Sequence, residues 1–194
     1  MRDHEIAAWS AWPPRPWCVT RRPPPTGDEA RLNFERSYQA HRAATLADHE
    51  FARYAGESYH GPLLDHLASI NHFVGEDELE DMMLMDEWAD MLLLREKAHW
   101  DVPRPYELAT SYGIIHDLPH PKLYAFGRSY PSGHTLLARL WARALATLFP
   151  NECAVLLSLS KRIAISRVHA FVHTFADIDY GLALADEAWT HRFK

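Results

Sequence analysis

Apolar residues recur every three or four positions along most of this chain, and they seldom alternate with polar ones. The clearest case is Leu137, Leu140, Trp141, Ala144, Leu145 and Leu148, which line one side of a helix predicted over 134–149. The same spacing predicts helices over 26 to about 54, 62–73, 77–99, 152–165, and from about 168 to near the C-terminus. Thr26 and Glu29 have the spacing of a capping box at the start of the first of these. The fold class that follows is all-α, a single-domain helical bundle over residues 26–194. Ahead of it, residues 1–25 carry Trp9, Trp12, Trp17 and a run of prolines ending in Pro23, Pro24 and Pro25. That composition reads as an extended N-terminal arm that buries its tryptophans against something.

A chain of 194 residues that is 47% hydrophobic has the size and the apolar content of one domain with a proper core. Its net charge of −6 argues against a nucleic-acid surface. No stretch approaches eighteen uncharged apolar residues, so a membrane-embedded protein is not expected. The first residues lack an apolar run behind a basic start, which makes the cytoplasm the expectation if the chain is complete. Two cysteines, Cys18 and Cys153, neither demand nor exclude an oxidising compartment, and whether they pair stays open. The longest irregular segment, about 101–131, holds Pro103, Pro105, Pro119, Pro121 and Pro131, and loops of that length in compact domains are commonly functional.

Three stretches gather charge suited to a tetrahedral oxyanion. Lys97 ends a helix that starts with acids and finishes with bases; Arg104 follows, flanked by Pro103 and Pro105, which favour an extended segment. Ser132 and Gly133 precede an apolar helix, where unpaired N–H groups favour an anion, and His134 lies in its first turn. Arg167 offers a planar fork for two oxygens. On a helix, His173 and Asp177 lie one turn apart, so the carboxylate can accept the Nδ1 proton and leave Nε2 as a nucleophile. Taken singly, each has a plainer reading: a Pro-rich loop with solvated bases, a serine-capped turn, a surface His/Asp pair. His169, His173 and Asp177, each four apart, also have the spacing of metal ligands on one helical face.

In combination the stretches spell Lys-x6-Arg-Pro, Pro-Ser-Gly-His and Ser-Arg-x5-His-x3-Asp, with all eleven specified identities present. This resembles the signature of the type 2 phosphatidic acid phosphatase (PAP2) and vanadium haloperoxidase superfamily. Within it the chain looks most like the bacterial class A non-specific acid phosphatases, through the proline run at 23–25, Phe34 to Tyr38, Lys97-Ala98-His99-Trp100 and residues 129–135. The resemblance covers roughly residues 23–185 and is strong from 97 onward. Two positions depart from the pattern: Phe171 stands where a glycine is usual, and Thr174 where an aromatic is usual.

The resemblance implies that His173 attacks phosphorus, that Asp177 orients it, and that His134 protonates the leaving alcohol and then activates water. It assigns the phosphate oxygens to Lys97, Arg104, Ser132, Gly133 and Arg167. The expected function is metal-independent hydrolysis of phosphate monoesters through a phosphohistidine. No cofactor is expected, and vanadate should bind as an inhibitor. The alternatives are a vanadate-dependent haloperoxidase, with vanadate as cofactor, and a non-catalytic phosphate-binding protein. The expected partner is a small phosphorylated substrate; homo-oligomerisation stays open. Relatives of this class are typically periplasmic, which sets a removed leader against the cytoplasmic expectation.

Overall fold

The computed structural model describes residues 19–114 and 127–192. The Trp-rich part of the arm up to Cys18, and Pro119 and Pro121, lie outside the described residues. All the regular elements described are helical: α1 Gly27–Ala43, α2 Leu46–Glu57, α3 Gly61–Ser69, α4 Glu76–Trp100, α5 Pro105–Leu108, α6 Gly133–Leu148, α7 Cys153–His169 and α8 Phe175–Arg192, with a 3-10 turn at Pro150–Glu152. The all-α expectation therefore holds for these residues.

Helix α6 is the axis of the bundle. Leu136, Ala138, Leu140, Ala142, Ala144 and Leu145 have essentially no solvent exposure, and each buried leucine contributes roughly 2 kcal/mol. The helix packs on α7, α8 and α4, while α7 in turn carries α1, α2 and α3. Helix α4 buries Met82, Met85, Trp88, Ala89, Leu92 and Leu93 at the three- and four-residue spacing of a core face. It then stops at Asp101, whose φ of 50° is left-handed.

Several local expectations are corrected. The single helix predicted from 26 to about 54 is two, because Thr45 opens a new capping box: its hydroxyl accepts from the Asp48 N–H at 3.2 Å, and the Asp48 carboxylate accepts from the Thr45 N–H at 2.9 Å. Thr26 does precede a helix, but its side chain makes no capping bond. Arg104 is extended as expected, yet Pro105 begins a one-turn helix rather than excluding one, since proline is well suited to a first helical position. The last helix begins at Phe175, not near 168, because the chain turns at 170–174 with Phe171 at φ 55°. His173 therefore lies in that turn, ahead of the helix that carries Asp177.

Helix α1 holds that turn in place. The Phe175 and Ala176 N–H groups donate to the Ser37 hydroxyl and the Asn33 side-chain Oδ1, each at 3.1 Å, so one helix caps another. The extended residues that follow Cys18 are tied in by a fully buried carboxylate. Glu96 accepts from Arg21 Nε at 3.2 Å, Arg95 Nη2 at 3.3 Å, Trp100 Nε1 at 3.3 Å and the Tyr180 hydroxyl at 3.0 Å. Burial opposes its charge, but the bonds from Tyr180 and Arg21 outweigh that and hold its pKa below the ordinary carboxylate value. A depressed carboxylate pKa stabilises the fold above the unfolded-state value and ceases to as pH falls through the folded one. Glu96→Ala should cost about 2 kcal/mol in urea unfolding near neutral pH, because it leaves buried donors unsatisfied. The deficit against the parent protein should shrink on acidification. A deficit independent of pH would show that the charge of Glu96 is not what holds these segments.

Candidate active site

Lys97, in the last turn of α4, reaches the segment 127–132. Its ammonium donates to the carbonyls of Arg128 and Ser129. The same segment is fastened by the Ser129 N–H to Val102 carbonyl bond at 2.9 Å and by an Arg128–Asp101 ion pair at 2.6 Å. Arg104 is buried, donating through Nε to the Gly127 carbonyl and through Nη1 to the Val172 carbonyl, both at 2.9 Å. The same Nη1 lies 2.8 Å from His173 Nε2. Guanidinium nitrogens only donate, so Nε2 is the accepting, unprotonated nitrogen and the ring proton sits on Nδ1.

Behind the ring, His173 Nδ1 is 3.4 Å from Asp177 Oδ2, which also accepts the Ser129 hydroxyl at 2.5 Å and the Thr174 N–H at 2.7 Å. Ser129 is thus a site residue to which the motif reading gave no role. Thr174, in place of an aromatic, forms the reciprocal half of a helix cap with Asp177. Burial pushes Asp177 upward, against the hydrogen bonds from Ser129 and Thr174. Burial first, then the charges of Arg104, Lys97 and Arg167, hold His173 well below the ordinary histidine value, so its ring is neutral.

Ser132 and Gly133 head α6 as expected. The Ser132 hydroxyl accepts from Thr135 at 2.9 Å, and its N–H donates to the Asp177 carbonyl at 3.0 Å, joining this motif to the third. Gly181 of α8 makes that approach possible: a Cβ there would sit 2.8 Å from the Ser132 carbonyl oxygen. His134 donates from Nε2 to the Gly56 carbonyl at 3.0 Å, which leaves Nδ1 as the nitrogen free to exchange a proton. Burial and then the Arg167 charge lower its pKa to about 4.

Arg167 is completely buried. One nitrogen donates to the Ala52 carbonyl at 2.9 Å, while Nε and Nη2 have no partner among the described residues. Unsatisfied guanidinium donors in an interior are costly, and an oxyanion is the group that would satisfy them. Lys97, Arg104, Gly133, His134 and His173 line one cavity of about 500 Å³. The metal-ligand alternative does not assemble. His169 ends α7 and lies 3.9 Å from Asp48, and the described residues contain no cluster of three or more histidine, cysteine or acidic side chains suited to hold a metal.

The model of the PAP2 superfamily matches residues 82–186, more than half of the chain, and this span contains all eleven signature identities. The chain belongs to the PAP2 superfamily. It is also 30% identical over 145 residues to the acid phosphatase of Zymomonas mobilis subsp. mobilis, a match covering 75% of this chain and 49% of that protein. The chain thus spans about half the length of the curated relative it matches. No helix among the described residues is long and apolar enough to cross a membrane.

In this PAP2 site Lys97 is the cation most sensitive to pH. Burial and then the charge of Arg104 bring its pKa down to about 7, so its charge is lost as pH rises through that value. Sulfate, a dianion at every relevant pH, should bind more weakly as pH rises through about 7 by calorimetry, and Lys97→Met should abolish that dependence. A dependence retained in the variant would assign the titration to another group.

Proposed function

We propose that the protein is a phosphomonoesterase that works through a phosphohistidine on His173 and needs no metal ion. The observation that supports this best is the Arg104 Nη1 contact to His173 Nε2 at 2.8 Å. It fixes the tautomer in which the lone pair faces the cationic cavity and the proton faces Asp177 and Ser129. When a phosphate dianion enters, the Arg104 N–H transfers from the imidazole to a phosphate oxygen and frees Nε2 for in-line attack. Lys97, the idle nitrogens of Arg167 and the N–H groups at the start of α6 hold the remaining oxygens, and their contacts strengthen as charge develops there.

In the first step the N–P bond forms as the bond from phosphorus to the alcohol oxygen breaks, and His134 supplies the proton that the alcohol takes. In the second, His134 removes a proton from water, the water oxygen attacks phosphorus, and the N–P bond breaks to release inorganic phosphate. A pKa of about 4 would leave His134 unprotonated at neutral pH in the free protein. The bound dianion offsets the surrounding cations and raises that value, so the proton is in place when the substrate is. Acidic conditions favour both a charged Lys97 and a protonated His134.

His173→Ala should abolish turnover of an aryl phosphate, and Arg104→Lys should lower it by about a hundredfold or more, because an ammonium cannot reproduce the two-pronged contact. Acid- or base-quenched reactions with labelled substrate should yield a phosphoenzyme stable to base and labile to acid. Chelator should leave the rate unchanged and vanadate should compete with substrate. Wild-type turnover in His173→Ala would remove the nucleophile assignment, and loss of activity in chelator would remove metal independence.

A further inference from the structure

The cavity around the two histidines is cationic at one end only. Helix α4 supplies Asp90, Leu93, Leu94 and Lys97 to its wall, the i, i+3, i+4, i+7 face of one helix. Seven residues rise about 10 Å along a helix, so Asp90 stands two turns from the ammonium of the phosphate cradle. Glu57, the last residue of α2, lines the same cavity, as does the ring of Tyr59. That ring is fixed, because its hydroxyl donates to Asp86, which also accepts the Trp141 N–H at 2.8 Å.

These groups have no other evident work. Asp90 is exposed and meets no hydrogen-bond donor or cation among the described residues, while Glu57 has only a long 3.7 Å ion pair with Arg53. The cations of the cavity wall, Lys97 and Arg104, both belong to the cradle end. With the phosphate held at that end by Lys97 and Arg104, the alcohol part extends past Leu93 and Leu94 toward Asp90, Glu57 and Tyr59. A second anionic group on the alcohol would meet like charge there. An ammonium would meet opposite charge and a π-face.

We propose that this wall selects phosphomonoesters whose alcohol carries an ammonium group, aminoalkyl and choline-type phosphates, over those whose alcohol carries a second anion. This rests on the phosphatase reading above. The test compares kcat/KM for phosphoethanolamine, glycerol phosphate and phosphoglycolate at low ionic strength. The cationic substrate should exceed the anionic one by about tenfold, with the neutral one between them. Asp90→Asn should cut that ratio by about threefold or more and Asp90→Lys should invert it; Glu57→Gln, whose carboxylate already pairs with Arg53, should have a smaller effect in the same direction. Raising salt to about 0.5 M should compress the ratio. Calorimetric binding of phosphocholine and phosphoglycolate reads the same preference without turnover. Equal constants for cationic and anionic substrates, or a ratio unmoved by Asp90→Lys, would overturn the proposal. Preferential binding of phosphocholine with no turnover of any phosphate ester would instead uphold the wall and overturn the phosphatase reading.

Discussion

The site depends on holding cations with carbonyl dipoles rather than with carboxylates. Arg104 is anchored by the carbonyls of Gly127 and Val172, Arg167 by that of Ala52, and Lys97 by those of Arg128 and Ser129. A carboxylate in any of these places would orient the cation equally well, but it would cancel the charge and compete with an incoming anion. Carbonyls aim the donors and leave the net charge in place. The buried carboxylate of Asp177 is turned toward His173, Ser129 and Thr174. The cost is visible in the downward pKa shifts of Lys97, Arg167, His134 and His173, each caused by burial and then by neighbouring positive charge. An oxyanion held among them, as proposed above, would relieve all of these shifts together and return stability on binding.

The rest of the bundle is arranged around that concentration of charge. Acidic groups that serve structure stand apart from the cradle: Glu96 gathers Arg21, Arg95, Trp100 and Tyr180, and Asp186 bridges Arg139 and Arg143 between α6 and α8. Lys97 and Arg104 line the cradle end of the cavity, and Asp90 and Glu57 line it elsewhere, so the proposed substrate wall places unlike charges in one cavity. A gradient of this kind orients a substrate with two unlike ends before any close contact is made.

The sequence made the chemistry more legible than the geometry. Five of the eight expected site residues, Lys97, Arg104, Gly133, His134 and His173, line one cavity, and Asp177 and Ser132 are bonded to each other through the backbone beside it. The helical path between motifs was harder to read. Periodicity runs unbroken through Ala44 and Thr45, so the break between α1 and α2 shows only in the Thr45-x-x-Asp48 box. His173 and Asp177 have helical spacing, but the ring sits in a turn whose left-handed Phe171 sequence rules would give to glycine. Ser129, Gly181 and Glu96 act through residues distant in the chain, and no local pattern announces such partners.

Phe171 holds a left-handed turn position at which the family resemblance leads one to expect glycine. A left-handed non-glycine residue costs about 1–2 kcal/mol, and burying a phenylalanine side chain against partners returns as much or more. Its ring packs on Phe34, Tyr38 and His41, all from α1, and is almost wholly buried. That exchange ties the turn carrying His173 to a helix outside the span matched by the superfamily. Helix α2 makes the same kind of contribution, since the Ala52 and Gly56 carbonyls anchor Arg167 and His134. The signature residues all lie within 82–186, but the orientation of three of them is set from before it. A chain trimmed to the matched span would keep every signature identity and lose the contacts that aim them.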